Sequence, residues 1–330
     1  MTEQTTSAPH ARGQRAAWES LPAPILDALQ TALGDEIVDA ITMPGGFSPG
    51  IAARVRTANG RRAFVKAVSA ARNAVAPTFH RREILVSSHL PTGDDLPVPR
   101  LLWSYDEGQP DADREGWVVL AYEDVAGEQP AQPWQPNELD RVIDALNRLA
   151  AHLTPSPVAA DAVGTVTRWG PIRTNFWRLR AVDPPATLDS WARRNLDRLA
   201  DLSDQASAAV AGDTLLHLDL RADNVLLTPE RVYIVDWPHA RIGAAWLDPL
   251  FMAPSVTMHG GPKPEEFMAR FDAVRDVDPA AITATVAQIA GFFTSAALEP
   301  EEPGLPGLRA FQEAQGAVAR RWLARRTDWT

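Results

Sequence analysis

The segment LLHLDLRADNVLLTPERVYIVDWP, residues 215–238, carries three oxygen-bearing side chains at the ends of short apolar runs: Asp219, Asn224 and Asp236. Asp219 and Asn224 lie five residues apart on a tight connection, and Asp236 ends the returning strand of a hairpin, so all three can face one point. Two carboxylates and an amide oxygen suit a hard cation such as Mg2+, which takes oxygen ligands and leaves positions for substrate phosphates. Taken singly, each residue reads as a turn or helix cap. The three at these spacings favour the metal.

Composition marks a fourth residue. Of 32 basic residues only Lys66 and Lys263 are lysines, so 30 are arginines. Lys66 sits in Phe64-Val65-Lys66-Ala67-Val68, apolar on both sides, whereas Lys263 stands between two prolines. A strand lysine is ordinarily a solvated edge position. In a chain that writes nearly every other basic position as arginine, this one suggests a site that needs a compact ammonium rather than a planar fork.

These residues need a scaffold, and two periodicities divide it. From about residue 37 to 125 the chain reads as strands: 37–43, 51–57 and 63–68, the last two joined by the hairpin signal Asn59-Gly60, then 101–105 and 117–122. One helix, about 78–90, interrupts them. A Gly-, Pro- and acid-rich stretch, 123–136, marks a crossover. Beyond it, Leu139, Val142, Ile143, Leu146, Leu149 and Leu153 recur at helical spacing behind Asn137 as a cap, and helices are expected near 188–210, 264–274, 280–298 and 308–325. Asp278 and Pro279 open the third of these as N-cap and first helical residue. The expected organisation is a flexible tail 1–18, a sheet-bearing lobe 19–125 and a helical lobe 126–330.

The remaining composition mainly excludes. A chain of 330 residues exceeds one small core, and 45% hydrophobic with 22% charged residues is ordinary for a folded protein. No cysteine is present, which removes disulfides, thiolate metal sites and a cysteine nucleophile. A net charge of −10 argues against nucleic acid as a partner and is compatible with a cationic or neutral small substrate. The N-terminal residues lack the apolar core of a secretory signal, and residues 282–298 are too polar and short to cross a membrane, so a cytoplasmic protein with no membrane partner is expected.

His217-Leu218-Asp219-Leu220-Arg221-Ala222-Asp223-Asn224, followed by Ile234-Val235-Asp236-Trp237, resembles the catalytic and metal-binding segment of the aminoglycoside phosphotransferase family, whose fold is protein-kinase-like. The resemblance implies an α+β, two-lobed protein-kinase-like fold, with a small N-terminal antiparallel sheet and one helix, and a larger, mainly helical C-terminal lobe. It implies ATP and Mg2+ as cofactors. Asp219 would accept the proton of the attacking hydroxyl, with Asn224 and Asp236 as metal ligands and His217 as a support of the loop. Lys66 would contact the α and β phosphates and be held by Glu83 of the following helix, although a helix acid beside Arg81 and Arg82 is also the usual surface pair.

The glycine-rich turn such an enzyme needs is matched by Gly45-Gly46-Phe47-Ser48-Pro49-Gly50, of which Gly45, Gly46, Ser48 and Gly50 are the expected phosphate-loop residues. The turn is neither a Walker A loop nor a Rossmann fingerprint. Val119-Leu120-Ala121-Tyr122-Glu123-Asp124 resembles the adenine hinge, where backbone groups from Glu123 to Val125 would bond the base. Asp248 matches an aspartate that buttresses the catalytic loop. Two positions depart from the pattern: Leu218 stands where the family usually has glycine, and Trp237-Pro238-His239 follows Asp236 without a further acid.

The acceptor is expected to be a small-molecule hydroxyl, on an aminoglycoside-like, macrolide-like, sugar or amino-alcohol compound. Trp169, Trp177, Trp191, Trp246 and Phe176 are available to line a flat pocket, though plain core is the commoner role for such residues. An alternative is a nucleotide-binding pseudokinase acting as regulator or scaffold, against which the joint presence of Lys66, Asp219, Asn224 and Asp236 argues. A carboxylate-metal hydrolase would leave the glycine turn and the strand lysine without a purpose.

Overall fold

The structure is a computed structural model that describes residues 15–43, 50–91, 93, 96–112, 114–182, 188–301 and 305–330. The described residues form two compact units, one drawn from Arg12–Gln129 together with Asp223–Ala240, the other comprising Pro130–Ala222 and Arg241–Thr330.

The first unit is built on a five-stranded antiparallel sheet. Its strands are β1 (Ile37–Thr42), β2 (Ile51–Thr57), β3 (Arg62–Ser69), β4 (Leu101–Asp106) and β5 (Trp117–Glu123), in the order β1-β2-β3-β5-β4. At the β2–β3 turn Gly60 has φ 85°, the left-handed conformation that the Asn59-Gly60 pair supplies. Side chains alternate across the sheet, and the alternation places Lys66. Ala63, Val65 and Ala67 of β3 face a core with Ile25, Leu29 and Leu33 of α1 (Ala23–Leu33). Phe64 and Val68 instead join Val118, Leu120 and Tyr122 beside α2 (Ala76–His89), and Lys66 falls on that second face. The sequence reading contains no α1, whose signal is one narrow i, i+4, i+8 stripe.

Residues 223–240 pack with this sheet. Their hairpin, β7 (Val225–Leu227) and β8 (Val232–Ile234), is held by reciprocal backbone bonds between Leu227 and Glu128 at 2.7 and 3.0 Å and by the Ile234 N–H donating to Pro97 O at 2.6 Å. The sequence reading grouped this hairpin with the helices; main-chain pairing to residues 97 and 128 is what draws it to the sheet.

In the second unit α3 (Pro136–His152) buries the expected stripe, but its N-cap is Gln135 with Pro136 at the first position, rather than Asn137. The stretch expected as one helix near 188–210 is three, Ser190–Arg194, Leu196–Ser203 and Ala206–Ala209, the first break falling at Asn195. Asp278 caps the helix Pro279–Ala296, accepting from the Ala280 N–H at 2.9 Å. A short strand absent from the sequence reading, β9 (Arg241–Gly243), pairs with β6 (Thr214–Leu216) just ahead of His217. Trp177 and Trp246 are core residues, Trp177 donating its indole N–H to Ala287 O at 2.7 Å. Among the described residues no helix is long and apolar enough to cross a membrane.

Candidate active site

Lys66 lies between two carboxylates. Its Nζ is 2.7 Å from Glu83 Oε1 and 2.7 Å from Asp236 Oδ1. Glu83 reaches it because α2 begins at a fixed point: Asn73 Oδ1 accepts from the Ala76 N–H at 2.8 Å, which sets the helix phase two turns before Glu83. Burial works against the Lys66 charge, but Asp236 and Glu83 outweigh it and its pKa is raised, so the group stays an ammonium. Burial pushes Glu83 up, with Lys66 opposing. Tyr122, kept a neutral phenol chiefly by burial, donates to Glu83 and bonds Ser87 at 2.8 Å.

Asp236 has φ 71°, a conformation that aspartate tolerates better than most residues. Asn224 is buried on the same hairpin, and its backbone carbonyl accepts from the Val235 N–H at 3.0 Å. Lys66, Glu83, Asn224 and Asp236 line one cavity of about 220 Å³, whose apolar walls include Ala52, Phe64, Leu90 and Leu226. His80 also lines it, held neutral with its pKa lowered to about 3, mostly by burial and then by Lys66.

Glu123 and Val125 border the same cavity. The Glu123 N–H is committed to Arg100 O at 3.0 Å, and the Val125 carbonyl accepts from Arg54 at 3.0 Å. Between them Asp124 is buried against Arg54 at 3.1 Å and Arg62 at 2.6 Å, an anchor the sequence reading missed because the partners come from two other strands. At Gly50 an added Cβ would sit 2.3 Å from Ala67 O, so only glycine lets the start of β2 lie this close to β3. Gly45, Gly46 and Ser48 lie outside the described residues. The second lysine, Lys263, is exposed and stands 3.9 Å from Glu266.

In the second unit the His217–Asp219 loop is held from beneath. Buried Asp248, in the first turn of the helix Leu247–Met258, accepts from the His217 N–H at 2.9 Å and the Leu218 N–H at 2.8 Å. Burial raises the Asp248 pKa, opposed by its His217 and Leu218 partners. His217 is fully buried, and its Nδ1 accepts from the Asp219 N–H at 3.2 Å. Leu218 has φ 64°. The left-handed backbone explains why glycine is the usual residue there, and the Asp248 bonds are what hold a leucine in it. Asp219 Oδ1 is 2.5 Å from Arg221, whose guanidinium lies 5.7 Å from the Phe311 ring. Arg221 was not singled out in the sequence; its only signal is an opposite charge two residues from Asp219.

The first unit thus offers an anion-binding ammonium beside oxygen donors in a partly apolar slot, and the second offers a carboxylate on a fixed backbone. Asn224 and Asp236 form a hard-oxygen donor set, and a cation, the Lys66 ammonium, already rests on Asp236; the residues fit a divalent ion of the magnesium kind.

The fold is of the protein-kinase-like class that transfers phosphoryl groups. A sequence model of the phosphotransferase enzyme family, APH, matches residues 43–283, and the chain belongs to that family: it is a small-molecule kinase whose acceptor is a hydroxyl group. Among solved structures, an aminoglycoside phosphotransferase from Alicyclobacillus acidocaldarius is 18% identical with TM-score 0.58, covering 94% of this chain and 98% of its own. Aminoglycoside phosphotransferase APH(4)-Ia, in ternary complex with ADP and hygromycin B, is 15% identical with TM-score 0.59, covering 93% and 100%. Choline kinase LicA from Streptococcus pneumoniae is 12% identical with TM-score 0.52, covering 90% and 98%. At these identities the likeness is one of fold. No curated protein matches the chain.

Proposed function

We propose that the chain transfers the γ-phosphoryl group of ATP to a hydroxyl of a small molecule, with Mg2+ as the metal. The observation that carries this reading is Lys66, held between Glu83 and Asp236 in a cavity with apolar walls. In it the apolar walls hold the base, the backbone near Glu123–Val125 flanks it, and Lys66 binds the α and β phosphates. Asn224 and Asp236 would hold Mg2+, which would supply charge neutralisation for the transferring group. Asp219 takes the proton of the acceptor hydroxyl as it attacks. The sheet-bearing unit is the nucleotide clamp, and the helical unit carries Asp219 and the acceptor pocket. The enzyme is taken as cytoplasmic and its acceptor as an aminoglycoside, macrolide, sugar or amino alcohol; the first and last of these accord with solved structures of a phosphotransferase with hygromycin B and of a choline kinase.

The test is nucleotide affinity with Mg2+, followed by ATP consumption against a panel of hydroxylated metabolites and antibiotics. Asp219→Asn is expected to lower turnover about 1,000-fold, within the range for loss of a general base, and to leave nucleotide affinity unchanged. A wild type that binds no nucleotide, or an Asp219→Asn variant with intact turnover, overturns the proposal. Binding without consumption of any acceptor favours the pseudokinase.

A further inference from the structure

Arg15 belongs to the segment that precedes α1, a stretch whose sequence reads as the end of a tail. Its neighbour Ala16 donates its N–H to Gly50 O at 3.2 Å, and Ala16 and Trp18 pack on the apolar cluster shared by α1 and the sheet. The segment is therefore pinned beside the first residues of β2. From there the Arg15 side chain lines the same cavity as Lys66, His80 and Asp236. Burial lowers its pKa, and the nearby Asp236 carboxylate opposes that effect. A guanidinium withdrawn from water in this way is costly unless an anion accompanies it.

Among the charged groups that line this cavity are two carboxylates, Glu83 and Asp236, and two cations, Lys66 and Arg15, with His80 neutral. With a divalent ion held by Asn224 and Asp236, Lys66 and Arg15 would be available to a further anion. A nucleotide polyphosphate is that anion, and a planar guanidinium can bind two of its oxygens at once. We propose that Arg15 is a phosphate-contacting residue of the nucleotide site, a second cation beside Lys66 that the segment ahead of α1 supplies. The inference rests on the nucleotide-binding reading above. The sequence hides it because nothing local distinguishes Arg15 from 29 other arginines; the Ala16–Gly50 bond and the packing of Ala16 and Trp18 bring it to the cavity.

The experiment compares the full chain with Arg15→Gln and Arg15→Lys, measuring affinity for ATP, ADP and adenosine by calorimetry in the presence of Mg2+. Arg15→Gln is expected to weaken ATP about tenfold or more, the size of one charge-assisted hydrogen bond, and to leave adenosine unchanged. Arg15→Lys falls between. Retained adenosine affinity doubles as evidence that the variant is folded. ATP affinity unchanged in Arg15→Gln, or adenosine weakened as much as ATP, overturns the inference while leaving the nucleotide reading intact. A wild type that binds neither ATP nor ADP overturns both.

Discussion

Two acids named by the sequence, Asp236 and Asp219, are held in place by partners from different distances along the chain. Asp236 itself takes the left-handed backbone conformation, with its side chain 41% exposed and bonded to Lys66. For Asp219 the preceding residue, Leu218, takes that conformation, and Asp248 bonds the backbone from below. The Asp236 carboxylate is met by a cation from strand β3, whereas Asp219 meets its near neighbour Arg221 and sits on a loop whose main chain Asp248 holds. An electrostatic clamp yields when a cation or a polyphosphate competes for its members, which suits a site that binds and releases nucleotide. The backbone bonds beneath Asp219 do not respond to ligand charge, which suits the base role proposed for it.

Removing the backbone clamp separates the two most sharply. Asp248→Ala leaves the His217 and Leu218 N–H groups without their acceptor in a buried place, at about 1–3 kcal/mol each, so a loss of about 2–6 kcal/mol in urea unfolding is expected. Turnover should fall with the misplaced Asp219, while nucleotide affinity, which the proposed function assigns to the other unit, should persist in the folded fraction. Nucleotide affinity lost in step with stability would mean that the two clamps are one structure.

The electrostatic clamp has its own signature, in pH. Buried His80, whose Nδ1–H donates to Ala76 O at 3.3 Å, lines the cavity with Lys66 and has its pKa lowered to about 3. The unfolded chain takes up this proton near pH 6.5, the folded chain only near 3, so between those values the unfolded state binds more protons and stability falls as pH falls. The loss attributable to this residue should be about 1.5 kcal/mol between pH 6.5 and 5. Urea unfolding of the wild type and His80→Gln at several pH values measures it: the variant's curve should be flatter by that amount. Parallel curves would show that His80 is not the group that makes this unit acid-sensitive.

How much of this was legible in sequence follows the same division. β2 runs Ile51–Thr57 as its alternation predicts, and Lys66 meets Glu83, the partner that the resemblance rather than the local pattern named; the contact of Lys66 with Asp236 was not read. The residues that set the environment of these groups do not show locally. Asp124 finds Arg54 and Arg62 on two other strands, Arg15 reaches the cavity through a bond to Gly50, and β9 has three residues and no periodicity of its own. The break at Asn195 likewise follows from packing of three short helices rather than from the amphipathic stripe that spans it. Chemistry was written in residue type, and its positioning in tertiary pairing.

The smallest effect bears on Leu218 itself. The side chain is buried, so both Leu218→Ala and Leu218→Gly lose apolar contact and are destabilised relative to leucine. Their order is the informative part. In helices and strands alanine is favoured over glycine by about 0.5–1 kcal/mol, because glycine has more freedom to lose. At φ 64° the sign should reverse, since a Cβ there crowds the following carbonyl at about 1–2 kcal/mol and glycine has none. Leu218→Gly is therefore expected to be the more stable of the pair by about 1 kcal/mol in urea unfolding, with Asp219 still aimed by Asp248. If alanine is the more stable, the loop has relaxed out of the left-handed region, and the bonds to Asp248 hold Asp219 by position alone rather than by enforcing a costly backbone.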